Sequence, residues 1–270
     1  DTDRGSFAEL KAASQHHHGE LVAMDRSIGN LRSALRRQGI AENTLVWFCS
    51  DNGGLPEIQP DTTGGLRGNK GKIYEGGLRV PCLVEWPAGI ANPQVVTTPA
   101  CTMDIFPTIV EIVQAEQKVV SMPRDGISLR GWFDKPATTR ESPIGFCFQD
   151  NWAMVDDNYK ILALRTPQNR KAQESSDGYR IEVYDLINDP NETTNLRTRE
   201  PKRTAELQAT LSSWQQSVRK SVAGKDYPEG RVQPADRQPQ HWADTKVYEP
   251  YFQQWKQRPE YGDWLRRRGK

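Results

Sequence analysis

The sequence lacks a long apolar run, a cysteine framework and a charge excess, and each absence removes a class of function. No apolar stretch in its 270 residues approaches the roughly 18 of a membrane-spanning helix; the best candidate, around Thr44 to Cys49, is the size of a strand. The 4 cysteines, Cys49, Cys82, Cys101 and Cys147, have no CxxC spacing, which excludes a zinc ribbon and a dense disulfide scaffold and favours buried free thiols or at most one or two bridges. With 36 Lys and Arg against 35 Asp and Glu the net charge is +1, which argues against a chain built to grip nucleic acid or an anionic membrane. Histidine is scarce, 4 in all, and three are the adjacent His16, His17 and His18. On a helix such neighbours fan out by about 100° each and cannot converge on one ion. Signatures of a nucleotide P-loop, a serine hydrolase and a zincin are missing too. Gly71-Lys72 is followed by Ile73 rather than Ser or Thr, which excludes a Walker A loop, and neither G-x-S-x-G nor H-E-x-x-H occurs. The chain opens on Asp1-Thr2-Asp3 with no Met and no signal pattern, so the expectation is a processed product or a piece of a longer one.

What is present reads as α/β. Leu21, Met24, Ile28, Leu31 and Leu35 form one apolar stripe between Asp25, Arg26, Arg32 and Arg36, an amphipathic helix closed by Gly39. Thr44 to Cys49 is a continuous apolar and β-branched run, the pattern of a strand buried on both faces in a parallel sheet. An irregular, glycine-rich loop from Pro56 to Lys72 leads to a second strand, Val80 to Trp86, and then to a helix over Met103 to Val113 with Pro107 in its first turn. Past residue 135 the texture changes. Short strands are expected at Ile144 to Phe148, Ala153 to Val155, Tyr159 to Leu164 and Arg180 to Leu186, with Asp156-Asp157-Asn158 as a hairpin turn. A helix follows over Glu200 to Ser217, with Leu207, Leu211 and Trp214 on one face. The expected organisation is a larger α/β part over 1–135, a smaller α+β subdomain over 136–224, and an extended tail over 225–270 rich in aromatics and arginine. In that tail the aromatics are expected to anchor the chain across a surface rather than to stack bases.

The chemistry concentrates where the first strand ends, at Ser50-Asp51-Asn52-Gly53-Gly54. Polar clusters at the carboxyl ends of strands are where open α/β sheets place ligands. Asp51 and Asn52 offer a carboxylate and an amide oxygen suited to Ca²⁺ or Mg²⁺; alternatively they form an Asx turn that ends the strand. The loop Gly68-Asn69-Lys70-Gly71-Lys72 could bring an ammonium to the same crevice to hold an anion.

The two segments, Thr44 to Gly54 and Gly68 to Pro81, resemble the formylglycine-dependent sulfatases of the alkaline phosphatase superfamily, whose pattern includes S-D-N-G and then G-x-K-G, an aromatic, E-G-G, an aliphatic and R-V-P. Further landmarks lie in order: Met24-Asp25, Met103 to Thr108, Asp125 to Leu129, Val183 to Leu186, and Asp189-Pro190 with Glu192 and Asn195-Leu196. The resemblance covers about Glu20 to Leu196 of the chain. It implies part of an alkaline-phosphatase-like sheet sandwiched by helices, with a short antiparallel sheet in the smaller subdomain. It implies that Asp51 and Asn52 are ligands of a divalent cation, usually Ca²⁺, and that Lys70 binds a sulfate oxygen and stabilises charge as the S–O bond breaks. Lys72 is then an ordinary loop lysine, and Glu75 with Arg79 an ion pair that holds the loop.

The family's nucleophile, a formylglycine made in C/S-x-P-x-R, has no counterpart here; with the first Asp-Asp metal pair it is expected on an N-terminal half that precedes residue 1. The resemblance therefore implies a sulfuric ester hydrolase acting on a sulfated small molecule or glycan, located outside the cytoplasm, with this chain alone inactive. Two alternatives stay open: a phosphate mono- or diester hydrolase of the same superfamily, and a non-catalytic fragment that binds sulfated glycans. Asn191-Glu192-Thr193 is a formal glycosylation acceptor, but the favoured reading is part of the Asp-Pro turn.

Overall fold

The computed structural model describes residues 12–116, 124–165, 178–226 and 241–269. The chain divides into two compact units, Asp1–Gln215 and Gln216–Lys270. The expected boundary near residue 135 falls inside the first of them.

The first unit opens with helix α1, Ala12–Arg37, which starts earlier than its apolar stripe suggested. Much of that stripe is open to solvent: Leu21, Met24 and Leu31 each keep more than two fifths of their surface. The helix is tied down by polar contacts. Arg32 donates to both carboxylate oxygens of Glu85 at 2.7 and 2.9 Å, and the buried Ser14 hydroxyl accepts from the Gln59 amide at 2.9 Å. A single 3-10 turn leads to strand β1, Val46–Cys49. After the glycine-rich loop come a one-turn helix α2, Glu75–Leu78, and strand β2, Cys82–Glu85.

Strands β1 and β2 pair antiparallel, Val46 opposite Glu85 and Cys49 opposite Cys82. This corrects the parallel, doubly buried reading of Thr44 to Cys49: every residue of β1 is only half-buried. A continuous apolar run reports a strand that can be covered on both faces, and within the described residues β1 has one strand neighbour. The cysteines are free thiols as expected, but none is fully buried, and Cys82 and Cys147 are exposed.

A 3-10 turn, Thr102–Asp104, runs into helix α3, Ile105–Ile112, and a short helix α4 spans Arg130–Asp134. Asp104 does more than cap the helix. Its fully buried carboxylate accepts from the Cys101 and Ile127 amides at 2.7 and 2.9 Å, and from both Arg140 Nη atoms at 2.8 Å. A bidentate guanidinium with backbone donors on the remaining lone pairs is the arrangement that makes a buried charge tolerable.

The second sheet is an antiparallel meander in the order β3-β4-β5-β6, over Ile144–Phe148, Asn151–Asp156, Tyr159–Arg165 and Tyr179–Asp185. The hairpin turn falls where expected, with Asp157 at φ 50°. Because side chains alternate across a strand, the two faces of this sheet have different jobs. One face meets helix α5, Pro201–Val222, where Trp214 crosses Trp152 edge to face at 5.7 Å and lies over Gly145. The other face carries Ala153, Leu162, Leu164 and Tyr184, which pack with Ile73 and with Tyr74 and Leu78 of the glycine-rich segment. The sheet is thus the table on which that segment lies.

In the second unit the described residues do not form an extended tail. Two 3-10 stretches, Trp242–Asp244 and Lys246–Tyr251, precede helices α6, Phe252–Trp255, and α7, Pro259–Arg267, around a small core of Ala243, Phe252 and Leu265. Among the described residues no helix is long and apolar enough to cross a membrane.

Candidate functional site

Strand β1 ends at Cys49 and the chain turns at once. The Ser50 hydroxyl donates to the Asn52 carbonyl at 2.8 Å, the short-range bond that closes the polar turn. Two longer-range backbone bonds then stitch this turn to the loop downstream: the Gly53 amide donates to the Gly77 carbonyl at 2.9 Å, and the Lys70 amide to the Gly54 carbonyl at 2.8 Å. The loop is folded back on itself by Lys72 N to Asn69 O at 2.9 Å and Gly76 N to Arg67 O at 2.7 Å.

The glycines permit this closeness. A Cβ on Gly53 would lie 1.9 Å from the Gly76 carbonyl oxygen, and one on Gly77 would lie 2.0 Å from that of Lys72. At both positions the neighbouring carbonyl occupies the space a Cβ would need, so only glycine fits. Asp51 and Lys70 are exposed and Asn52 is half-buried. Backbone hydrogen bonds therefore link the turn that bears Asp51 and Asn52 to the loop that bears Lys70.

Behind these linked segments is a buried charge cluster. Glu75, at the start of α2, places Oε1 at 2.8 Å from Lys160 Nζ of strand β5, and Lys160 lies 2.9 Å from Glu192 Oε1. The other Glu192 oxygen accepts from the Glu75 amide at 2.7 Å. The Lys160 and Glu192 side chains have no exposure to solvent, and that of Glu75 has 9%. One cation thus faces two carboxylates, and burial pushes the Glu192 carboxyl above its ordinary range, against the opposing pull of Lys160. The expected Glu75–Arg79 ion pair is replaced by this one: Arg79 is exposed and gives its backbone amide to the Glu75 carbonyl at 2.7 Å. The sheet's pleat decides the outcome, since Lys160 shares the loop-facing side of β5 with Leu162 and Leu164 and so points at α2.

A second polar cluster pins the loop's first half. The Arg67 guanidinium lies 4.0 Å from the Tyr74 ring centroid and donates to the Tyr184 hydroxyl at 2.9 Å and to the Glu192 carbonyl at 2.8 Å. Both tyrosine hydroxyls donate to the same Glu182 oxygen at 2.9 Å. Burial, then the adjacent Glu182 charge, push both phenols above their usual range, so they act as donors.

Arg67, Lys160 and Glu182 are not singled out by the sequence, and Tyr184 falls in the Val183 to Leu186 landmark with no role attached to it. The one available signal was a lysine opening an otherwise apolar strand, Lys160-Ile161-Leu162-Ala163-Leu164. His16, His17 and His18 lie on α1, exposed or half-buried, and among the described residues no group of three His, Cys, Asp or Glu side chains could hold a metal ion. The Asp-Pro turn is as expected: the Asp189 carboxylate accepts from the Thr193 and Thr194 amides, and Asn191 is exposed.

A two-stranded element ending in a polar turn, a loop laid on an antiparallel sheet and helices on both define an α/β protein of the alkaline-phosphatase-like class. The family model described as sulfatase matches residues 14–115, and that described as N-sulphoglucosamine sulphohydrolase, C-terminal, matches residues 68–221. The chain belongs to the sulfatase family. Steryl-sulfatase of Mus musculus is 39% identical over 121 residues, 41% of this chain and 19% of that protein. A sulfatase of Formosa agariphila is 32% identical over 196 residues, 67% of this chain and 35% of its own length. A solved sulfatase structure from the glycosaminoglycan-metabolism locus of Bacteroides thetaiotaomicron superposes with a TM-score of 0.59 at 25% identity, covering 71% of this chain and 42% of that one. The chain spans less than half the length of each of these relatives.

Proposed function

We propose that the protein is a sulfuric ester hydrolase in which this chain supplies one wall of the site. Asp51 and Asn52 hold part of a hard divalent cation, Ca²⁺ or Mg²⁺, and Lys70 binds a sulfate oxygen. The observation that carries the reading is the 2.8 Å bond from the Lys70 amide to the Gly54 carbonyl, which fixes the lysine's backbone beside the turn that bears both cation ligands.

The donor set fits such a cation in kind and only in part in number. Carboxylate and amide oxygens are hard ligands, but Ca²⁺ takes about six to eight, so the remaining ligands come from beyond these two residues. When bound, the cation withdraws charge from the oxygens of the sulfuryl group. Lys70 has the complementary task of offsetting negative charge as the S–O bond breaks, an electrostatic effect of about 10²- to 10³-fold in rate for one well-placed donor. The Arg67–Tyr74–Glu182 and Glu75–Lys160–Glu192 clusters keep the Lys70 loop in place, so that no reorganisation is needed during the reaction. The nucleophile in this reading, a formylglycine, is borne by sequence outside this chain. The substrate is a sulfated small molecule or glycan, and the location is outside the cytoplasm.

The test is the metal content of the full-length protein, by inductively coupled plasma analysis, with and without Asp51→Ala. Loss of bound Ca²⁺ or Mg²⁺ in the variant supports the assignment; unchanged content sinks it.

A further inference from the structure

Two of the four cysteines meet across the β1–β2 pair, where Cys49 lies directly opposite Cys82. One residue further along the same register, the Ser50 amide donates to the Pro81 carbonyl at 3.4 Å. Ser50 and Pro81 are thus a hydrogen-bonded pair. Pairs alternate along an antiparallel ladder, so Cys49 and Cys82 form a non-hydrogen-bonded pair. Such a pair brings its Cα atoms to about 4.5 Å, inside the roughly 4.4 to 6.8 Å that a disulfide spans, with both side chains on one face of the sheet. Partial burial raises the Cys82 thiol above its ordinary range, and the charge of Cys49 raises it further, as a neighbouring sulfur must.

Packing does not account for the two thiols. A cysteine that serves as a small hydrophobe sits in a core, whereas Cys49 is half-buried and Cys82 exposed. The rung beside them is weak. Pro81 has no N–H and returns no bond to Ser50, and the one bond that remains is long. At that rung the sheet hands over to the turn that bears Asp51 and Asn52. The 34 residues from Cys49 to Cys82 contain the whole glycine-rich loop and α2. A covalent link between the two sulfurs closes this segment at its base, where the hydrogen-bond ladder holds it least.

We propose that Cys49 and Cys82 are a modification site, a dithiol that a small-molecule disulfide such as oxidised glutathione converts into a cross-strand disulfide at the base of the loop. The exposed Cys82 thiolate attacks one sulfur of glutathione disulfide; a protein–glutathione S–S bond forms and a glutathione thiolate leaves. The Cys49 thiolate then attacks the Cys82 sulfur; the protein disulfide forms and the second glutathione thiolate leaves. Two protein thiols are oxidised, one glutathione disulfide is reduced to two thiols, and the two protons pass from the cysteines to glutathione. This chemistry needs no ligand at Asp51, Asn52 or Lys70, so it holds whether or not the strand-end reading does.

The 270-residue chain is fully reduced, equilibrated in a buffer of reduced and oxidised glutathione, alkylated, digested and mapped by mass spectrometry. The expected product is a monomer two hydrogens lighter, with Cys49 linked to Cys82 and with Cys101 and Cys147 alkylated. At one fixed glutathione composition, the ratio of disulfide to dithiol should be about fivefold or more higher in the native chain than in urea, because the sheet register holds the two sulfurs together. The test needs no variant to fold, since the native chain carries both readouts. The proposal is overturned by a smaller ratio, by glutathione adducts that persist at Cys82 without the link, or by links to Cys101, to Cys147 or between chains in its place.

Discussion

Replacing Lys160 by Met removes the cation that lies between Glu75 and Glu192 while keeping the length of the side chain. The Lys160 side chain is wholly buried, and its Nζ lies 2.8 and 2.9 Å from the two carboxylates. Breaking a buried pair by deleting one partner costs about 3 to 5 kcal/mol, because the survivor keeps its desolvation penalty without its compensation. Here two survivors remain, joined through the 2.7 Å bond from the Glu75 amide to Glu192, so the upper part of that range applies at neutral pH. A loss of about 4 kcal/mol is nearly three orders of magnitude in the folding equilibrium, and about 8 to 16 °C in Tm for a unit of this size. The cost should shrink at pH 5, where one carboxyl takes up a proton more readily. The assay is urea denaturation of native and Lys160→Met chains, followed by tryptophan fluorescence at pH 5 and pH 8. A loss below about 1 kcal/mol, or one equal at the two pH values, would refute the claim that this cluster holds the loop.

The remaining predictions address the same segment. Burial raises the Glu192 carboxyl above its ordinary value of 4.5, so its protonated form stabilises the fold at pH below that value, and this contribution is lost as the pH rises through the folded pKa. Glu192→Gln should therefore gain stability relative to the native chain as pH increases from 4.5 upward, and a difference that is flat from pH 4 to pH 8 would contradict the assignment. Gly53→Ala places a Cβ 1.9 Å from the Gly76 carbonyl oxygen and should cost about 1 to 3 kcal/mol and weaken cation binding. Thermal unfolding and Ca²⁺ titration of that variant check both, and a native-like pair of values would mean the turn has room that the geometry denies.

The elements that close locally were legible in the sequence. The β4–β5 hairpin follows from alternation and from Asp157-Asn158, and α5 from the spacing of Leu207, Leu211 and Trp214. The Asp51-Asn52 turn and the Lys70 loop could be read as one place because a strand end and a glycine-rich loop each carry a physical signature, although the bonds that join them could not. What was illegible depends on chain segments far apart. Lys160 beside a polar turn reads as a solvated lysine; it is buried because its face of β5 lies under a loop 85 positions upstream. The exposed stripe of α1 and the half-buried β1 are the converse case, since periodicity shows which face is apolar and cannot show what covers it. The described part of the tail reads as extended in sequence because 3-10 turns with Pro250 inside have no clean period.

Turnover of an aryl sulfate and an aryl phosphate by the full-length protein, native and Lys70→Ala, tests the central claim. The account predicts preference for the sulfate and a fall in kcat of about 10²- to 10³-fold in the variant, with denaturation unchanged because the Lys70 side chain is exposed. Phosphate preference, or sulfate turnover indifferent to Lys70, would contradict it.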